Sequence, residues 1–195
     1  MAEGGYCLFE TSLGWCGIAW REPDDSGAPP AVTFLQLPEA TPKTTESRIA
    51  RHSGARPALP PPRIAEVIER VRQHLGGGRQ EFRDVTVALD GAGPFARRVY
   101  EAAREIPAGH TKTYGELAGA LGEPKAARAV GQALGANPVP LIIPCHRVLA
   151  SGGQPGGFSA HGGAATKARM LALEGTLLPP GRWFAESHPS LPFPD

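Results

Sequence analysis

Residues 110–138, HTKTYGELAGALGEPKAARAVGQALGANP, predict two short helices joined by a tight turn. The first helix is expected over residues 114–121 with Thr113 as its N-cap, because a threonine side chain can accept a hydrogen bond from a free amide at a helix start. A Gly-Glu-Pro turn follows, and the second helix is expected to begin at Pro124 and to end near Leu134. This pattern is typical of a helix-turn-helix.

The second of these helices combines an apolar stripe with a polar face. Three side chains lie off the stripe and are candidates for contacts with DNA, namely Lys125, Arg128 and Gln132. Residues 91–179 carry 9 Lys and Arg against 5 Asp and Glu, whereas residues 1–90 carry 10 against 12. The positive charge of the back half permits a nucleic-acid partner without requiring one, since many helical hairpins bind no DNA.

A cysteine follows this hairpin in the segment IIPCHRVLASGGQPGGFSAHGG, residues 142–163. Residues 141–143 predict a buried strand, and Cys145 comes directly after the proline that ends it. A neighbouring imidazole would lower the pKa of a thiol and make it a nucleophile, so His146 is a candidate base. Glu174, at the end of the last predicted helix, is a candidate for orienting that imidazole. An inert buried cysteine beside a surface histidine remains the alternative on these residues alone.

The front half predicts a mixed domain of strands and helices. Its expected elements are strands over residues 6–10, 15–20, 32–37 and 82–89, a short helix over 44–52 and an amphipathic helix that begins at Pro62. A Gly- and Pro-rich break at residues 90–94 marks a boundary. The chain therefore predicts an α+β fold with two domains, at residues 1–90 and 91–178, and a Pro-rich tail at 179–195.

Composition narrows the classes of protein to consider. The 195 residues are 41% apolar, which is enough for a packed core, and no run of about 18 apolar residues predicts a membrane span. The three cysteines form no CxxC pair and no zinc-ligand spacing, so we expect no metal, no cofactor and a reducing, cytoplasmic setting. The first residues lack the basic and apolar regions of a secretion signal.

The quoted segments resemble the O6-alkylguanine-DNA alkyltransferase family. The resemblance rests on NPVPLIIPCHRV, on GGFS, on a downstream lysine and on a closing LEG, and it extends upstream through the helix-turn-helix. It covers residues 94–175 closely, whereas the front half matches only in outline. Pro-Cys-His-Arg in this order with Asn-Pro and Gly-Phe-Ser is a specific combination.

This resemblance implies a DNA repair protein that transfers an alkyl group irreversibly from O6-alkylguanine in double-stranded DNA to Cys145. O4-alkylthymine is a second candidate lesion. The front half would be a ribonuclease-H-like domain of mixed sheet and helix, and the back half a mostly helical, winged-helix-like domain. The protein would act as a monomer and once per molecule. The damaged nucleotide would have to leave the duplex, because its O6 substituent is hidden within the base stack.

The resemblance also implies roles for single residues. Cys145 would accept the alkyl group, His146 would take the thiol proton through a water, and Glu174 would hold the imidazole. The other catalytic positions would be Asn137 and Lys167. The positions that contact the base or the DNA would be Tyr114, Lys125, Arg128, Gln132, Arg147, Val148, Gly157, Phe158 and Ser159, with Arg128 filling the gap left by the flipped nucleotide.

The chain departs from the family's pattern in its glycine-rich loop. Phe158 stands where tyrosine is common, and Ala160 and His161 are inserted before the glycine pair. The insertion is expected to alter the width of the pocket. Two other functions fit the residues: a DNA-damage-binding or regulatory helix-turn-helix protein in which Cys145 is structural, and a cysteine hydrolase.

Overall fold

The front of the molecule is a sheet with strand order β3-β2-β1-β4 in a computed structural model that describes residues 4–23, 27–176 and 178. The strands are β1 (Gly4–Thr11), β2 (Gly14–Arg21), β3 (Ala31–Gln36) and β4 (Arg56–Pro57). The first three pair antiparallel, and β4 pairs parallel with β1. The first three predicted strands are confirmed, whereas the predicted tail at 179–195 lies outside the described residues.

A helix packs on each face of this sheet. Successive side chains of a strand point to opposite faces, so each strand contributes side chains to both packing layers. Helix α1 (Pro42–Ser53) covers one face, where Ile49 packs with Tyr6 and Ala19. Helix α2 (Pro62–Leu75) contacts β1 and belongs to the larger cluster on the other face. The buried stripe of α2 contains the apolar residues expected from the sequence, Ile64, Val67, Ile68, Val71 and Leu75, and also His74.

The strand predicted over residues 82–89 is wrong. Its chain makes one isolated parallel bridge between Val87 and Val32, with the Val32 amide 2.9 Å from the Thr86 carbonyl. Phe82 and Val85 are buried nonetheless. The apolar spacing therefore indicates that these side chains are buried in the core. An irregular segment beside β3 buries them as a strand would.

In the described residues of the back half, four α-helices accompany a two-stranded parallel pair. Its elements are α3 (Pro94–Arg104), β5 (Lys112–Thr113), α4 (Tyr114–Ala120), α5 (Ala127–Gly135), β6 (Val148–Leu149) and α6 (Gly163–Leu173). The Thr113 cap is confirmed as a capping box: its Oγ1 accepts from the Glu116 amide at 3.1 Å, and the Glu116 carboxylate accepts from the Thr113 amide at 2.6 Å. These two reciprocal bonds fix where α4 begins.

Two sequence predictions in this half need correction. Helix α5 begins at Ala127 and not at Pro124, because the Ala126 amide bonds to the Glu123 carbonyl at 2.8 Å and extends the turn. Residues 141–143 are buried but irregular, since Leu141 has φ of 74° and cannot continue a strand. The apolar run at residues 141–143 suggested a strand because its side chains are buried, but the backbone there forms no regular strand.

A single hydrophobic cluster runs from the front sheet into the back half, joining β2, α2, α3, α5 and the segment before Cys145. The division at residues 90 and 91 stays a prediction. None of the described helices is long and apolar enough to cross a membrane.

Candidate active site

Cys145 opens a single 3-10 turn, Cys145–Arg147, between the irregular segment and β6. Its side chain is buried, at 8% exposure, yet it lines a cavity of about 250 Å³. Residues of both halves share the lining, among them Asn137, Pro140, Phe158 and Phe34. The sulfur is therefore shielded from bulk water but faces a space that a small group can enter.

Asn137 shapes the segment that carries the cysteine. Its side-chain amide donates to the Ile143 carbonyl at 2.8 Å, and its Oδ1 accepts from the Val139 amide at 3.0 Å. These two bonds hold a stretch of chain that has no strand partner of its own. The structure thus brings the Asn137 side chain close to Cys145.

Burial raises the pKa of the Cys145 thiol, and the Asn137 amide and the Lys167 ammonium offset that rise only in part. The expectation of a lowered thiol pKa is wrong for this structure, because loss of hydration outweighs the nearby positive groups. The resting sulfur is consequently a protonated thiol. A base is needed before it can act as a nucleophile.

Lys167 lies fully buried beside the cysteine. Its Nζ donates to the Val148 carbonyl at 2.6 Å and lies 5.7 Å from the centre of the Tyr114 ring. Burial lowers the pKa of Lys167 to about 8, against an opposing influence of Cys145. The Lys167 ammonium group, carried by α6, therefore contacts both β6 and the Tyr114 ring.

His146 points away from solvent and bonds to Glu174. Its Nε2 lies 2.8 Å from Glu174 Oε1, and its Nδ1 has no hydrogen-bond partner among the described residues. Burial lowers the pKa of His146, although the carboxylate of Glu174 opposes this. The ring is thus neutral: its Nε2 carries the proton and donates it in a hydrogen bond to Glu174, and its Nδ1 has a lone pair.

Arg147 was expected to contact DNA, and the structure contradicts this. Its guanidinium is 2% exposed and donates to both carboxylate oxygens of Glu174, at 2.8 Å from Nη2 to Oε1 and 3.0 Å from Nε to Oε2. Its Nη1 donates to the Ile106 carbonyl at 2.6 Å. The sequence does not show this direction, because it is the 3-10 turn that places the side chains of both His146 and Arg147 in the interior.

Glu174 is the centre of this buried cluster. Burial alone would raise the pKa of Glu174, but hydrogen bonds from His146 and His74 and the Arg147 guanidinium together hold it well below its usual value. The Gly109 amide also donates to Oε2 at 3.3 Å. The carboxylate is therefore ionised and fixed from several sides.

His74, in the front half, was not identified from the sequence. Its Nε2 lies 2.9 Å from Glu174 Oε1, and its Nδ1 accepts from the Gln80 amide at 3.0 Å. A signal was available, because His74 lies three residues beyond Val71 on the apolar stripe of α2. A histidine at a core position needs a polar partner.

One group of side chains in the described part of the chain meets the geometry of a metal site, namely His74, His146 and Glu174, whose nearest atoms lie within 4.8 Å of one another. The Gln80 amide occupies the lone pair of His74 Nδ1, so His74 Nε2 carries a proton. Arg147 already neutralises the carboxylate. The donor set thus suits a carboxylate bound by N–H groups better than a cation.

The residues expected on DNA lie on the exposed face of α5 and in the turn before it. Lys125 of the turn and Arg128 and Gln132 of α5 are all exposed, and within the described ranges Arg128 has no hydrogen-bond or ion-pair partner. Tyr114, at the start of α4, is half-buried next to this face, close to Gly131 of α5. Tyr114 therefore contacts the helix that carries Arg128 and Gln132.

The glycine-rich loop passes close to Tyr114. Gly156 has φ of 64°, and a Cβ atom there would lie 3.2 Å from Tyr114 Cε2, so a side chain at this position would be strained. Phe158 packs against the core, whereas Gly157 and Ser159 are exposed. The inserted His161 lies 3.8 Å from Glu39, which ties the loop to the front half.

Comparison with known proteins gives a consistent family. Residues 94–176 match the family model described as 6-O-methylguanine DNA methyltransferase, DNA binding domain. A methylated-DNA–protein-cysteine methyltransferase of Mycolicibacterium paratuberculosis is 36% identical over 149 residues, which are 76% of this chain and 83% of the relative.

Two solved structures from Mycobacterium tuberculosis resemble the structure of this chain. The O6-methylguanine methyltransferase has a TM-score of 0.68 at 32% identity, covering 88% of this chain and 92% of that one. A structure of OGT in complex with DNA has a TM-score of 0.65 at 32% identity, covering 87% and 92%. These findings confirm the mixed α+β fold and the resemblance drawn from the sequence. The chain belongs to the methylated-DNA–protein-cysteine methyltransferase family.

Proposed function

We propose that this protein repairs DNA by moving the alkyl group of O6-alkylguanine to Cys145, once per molecule. The observation that carries the proposal is the placement of the cysteine. Cys145 is one of the residues that line a cavity of about 250 Å³, and it is next in the chain to a buried neutral histidine whose Nδ1 has no partner among the described residues. Family membership supplies the substrate, since the relatives are named for transfer from methylated DNA.

The chemistry follows from these groups. A water bridging the thiol and His146 Nδ1 would carry the thiol proton to the ring, because a buried lone pair without a partner is a site for an ordered water. The thiolate then attacks the alkyl carbon, the carbon–sulfur bond forms, and the carbon–O6 bond breaks with its electron pair left on guanine. Guanine takes up one proton from solvent, and the His146 imidazolium releases the thiol proton to solvent, so atoms and charge balance. Since nothing expels a thioether, the protein is consumed.

DNA would be held by the helix-turn-helix, with Arg128 in the space of the flipped nucleotide. Exposure of Arg128 and Lys125 supports this, as does the short distance between Gly156 and Tyr114. The base would lie between Tyr114 and the loop that carries Gly157 and Ser159. In this proposal the front half is ribonuclease-H-like, the back half winged-helix-like, and the protein a cytoplasmic monomer.

The test is a mass measurement. The protein is incubated with a duplex that contains O6-methylguanine, digested, and the peptide that holds Cys145 is weighed. We expect a gain of one methyl group and one repaired lesion per protein molecule. An unmodified peptide would refute the proposal, and multiple turnovers on a small ester without DNA would favour a cysteine hydrolase instead.

A further inference from the structure

We propose that His74, contributed by α2 of the front half, is a positioning residue for alkyl transfer, acting on His146 through Glu174. The inference rests on the proposed function and extends it to a part of the chain outside the matched DNA-binding domain. Residues 94–176 match that domain, and His74 lies before it. The front half would then complete the proton-transfer apparatus in addition to folding beside it.

The geometry makes His74 a donor to Glu174. The Gln80 amide donates to His74 Nδ1 at 3.0 Å, so the ring proton is on Nε2, which lies 2.9 Å from Glu174 Oε1. The side chain is 2% exposed and packs edge-on against the Phe82 ring at 5.6 Å. Its orientation is thus set by a backbone amide, a carboxylate and a ring.

His74 and His146 share one oxygen atom. Oε1 of Glu174 accepts from His146 Nε2 at 2.8 Å and from His74 Nε2 at 2.9 Å. The carboxylate therefore cannot turn without losing both bonds, and its orientation selects the tautomer of His146 that leaves Nδ1 free. Because His74 draws on the same lone-pair density, it also limits how strongly Glu174 attracts a second proton onto His146.

Loss of the His74 donor has two expected consequences. Glu174 would be less firmly held, so His146 would present Nδ1 less reliably and transfer would slow. Glu174 would also stabilise the imidazolium form more strongly, so the pKa of His146 would rise. Since the base must be neutral, the acidic limb of the transfer rate would move to higher pH.

Other ionisable groups surround the pair and stay unchanged in the test. They are Arg79 and Glu81 after α2, Arg147 of the 3-10 turn, and, on the sulfur side, Cys145 and Lys167 of α6. A shift in the pH profile on changing His74 is therefore attributable to His74 itself.

The experiment compares His74→Phe with His74→Gln. Phenylalanine keeps the ring volume but removes the donor, whereas glutamine offers an amide N–H near the position of Nε2. Phenylalanine also removes the acceptor of the Gln80 amide, whereas the glutamine carbonyl can accept in its place. The melting temperatures therefore show how much of any difference comes from that bond and how much from the bond to Glu174. First-order transfer from an O6-methylguanine duplex is followed from acid to neutral pH, with duplex affinity and melting temperature measured in parallel.

We expect His74→Phe to slow transfer about 10-fold with unchanged duplex affinity, and to raise the pKa of His146 in an NMR titration of the DNA-free protein. His74→Gln should recover most of the rate. Wild-type rates with an unchanged pKa of His146 in His74→Phe would overturn the inference. So would equal losses in both variants. Absence of transfer by the wild-type protein would instead refute the proposed function, and the NMR titration would still decide the role of His74.

Discussion

The buried cluster around Glu174 and the exposed face of α5 differ in where their charged side chains find partners. In the cluster, His74, His146, Arg147 and Glu174 are at most 2% exposed and are bonded to one another. On α5, by contrast, the side chains of Arg128 and its neighbours extend into solvent. One region is assembled before any ligand arrives, and the other is complete only when a ligand is present.

The difference follows from what each region does. A proton-transfer group must be held in one tautomer and one orientation, and burial with full hydrogen bonding achieves this. Side chains that bind a polyanion must keep their charge available, and pairing them within the protein would cancel it. The two regions can therefore be separated experimentally, because a change in one should leave the other working.

The largest expected effect separates chemistry from binding completely. Cys145→Ser should abolish methyl transfer, because a serine hydroxyl ionises far less readily than a thiol, while affinity for the lesion-bearing duplex stays within about 2-fold. Peptide mass spectrometry and a fluorescence binding assay measure the two properties. Cys7→Ser, at a half-buried position in β1, is the matched control and should transfer normally. Methyl transfer by Cys145→Ser would contradict the assignment of the acceptor.

The next prediction disrupts the buried cluster itself. Glu174→Gln leaves the buried Arg147 guanidinium with only the part-exposed Glu81 carboxylate, 3.6 Å away, as counter-charge, which should lower the free energy of unfolding by about 3–5 kcal/mol. Denaturant titration measures this. Glu105→Gln, which removes an exposed partner 2.9 Å from Arg83, should cost less than about 1 kcal/mol. Equal effects of the two substitutions would mean that the cluster contributes no more than a surface pair.

The same variant should change the dependence of stability on pH. The folded pKa of Glu174 is held below its ordinary value of 4.5, so its contribution is complete above that pH and is lost as the pH falls below it. Glu174→Gln should therefore flatten the decline in stability at acid pH. An unchanged acid limb would show that other carboxylates dominate it.

How far the sequence predicts these two regions differs for a physical reason. The helical hairpin is encoded locally: the Thr113 cap sets the start of α4, and the spacing of Val130 and Leu134 lies within α5 itself. The polar face of α5 then follows from helical periodicity alone. This is why Arg128 and Gln132 were placed correctly on the exposed side, whereas Lys125 is exposed in the turn before α5 and not on the helix.

The buried cluster, in contrast, is assembled from distant segments. His74 and Glu174 are 100 residues apart in the chain, and only the fold brings them together. The residues themselves suggested the pair of His146 and Glu174, and the family resemblance agreed, but the resemblance assigned Arg147 to DNA, and only the 3-10 turn reveals its direction. The raised pKa of Cys145 was missed for a similar reason, since burial is a property of the folded chain.

A prediction on the exposed side tests whether α5 acts on the duplex. Arg128→Ala should slow transfer from O6-methylguanine in double-stranded DNA about 10- to 100-fold, because an arginine contact with DNA contributes on the order of 1–3 kcal/mol. Transfer from the free modified base should be unchanged, since the buried cluster is intact. Arg63→Ala, on the exposed side of α2, is the control and should match the wild type in both assays. Equal losses on duplex and free base would contradict the role of Arg128 in opening the duplex.

The smallest expected effect concerns charge without specific geometry. Lys125 is exposed at the turn before α5, where an ammonium group can neutralise a phosphate and release a counterion. Lys125→Gln should therefore reduce the slope of log affinity against log salt by about 1 and leave the rate of the bound complex unchanged. Lys43→Gln, at an equally exposed position on α1, should leave the slope as it is. If both lysines change the slope alike, the positive potential of the whole molecule attracts DNA and the α5 face has no special part in it. If only the Lys125 substitution changes the slope, a single exposed charge next to α5 contributes specifically to DNA binding. The contrast between the preassembled buried cluster and the ligand-dependent surface then holds for individual side chains.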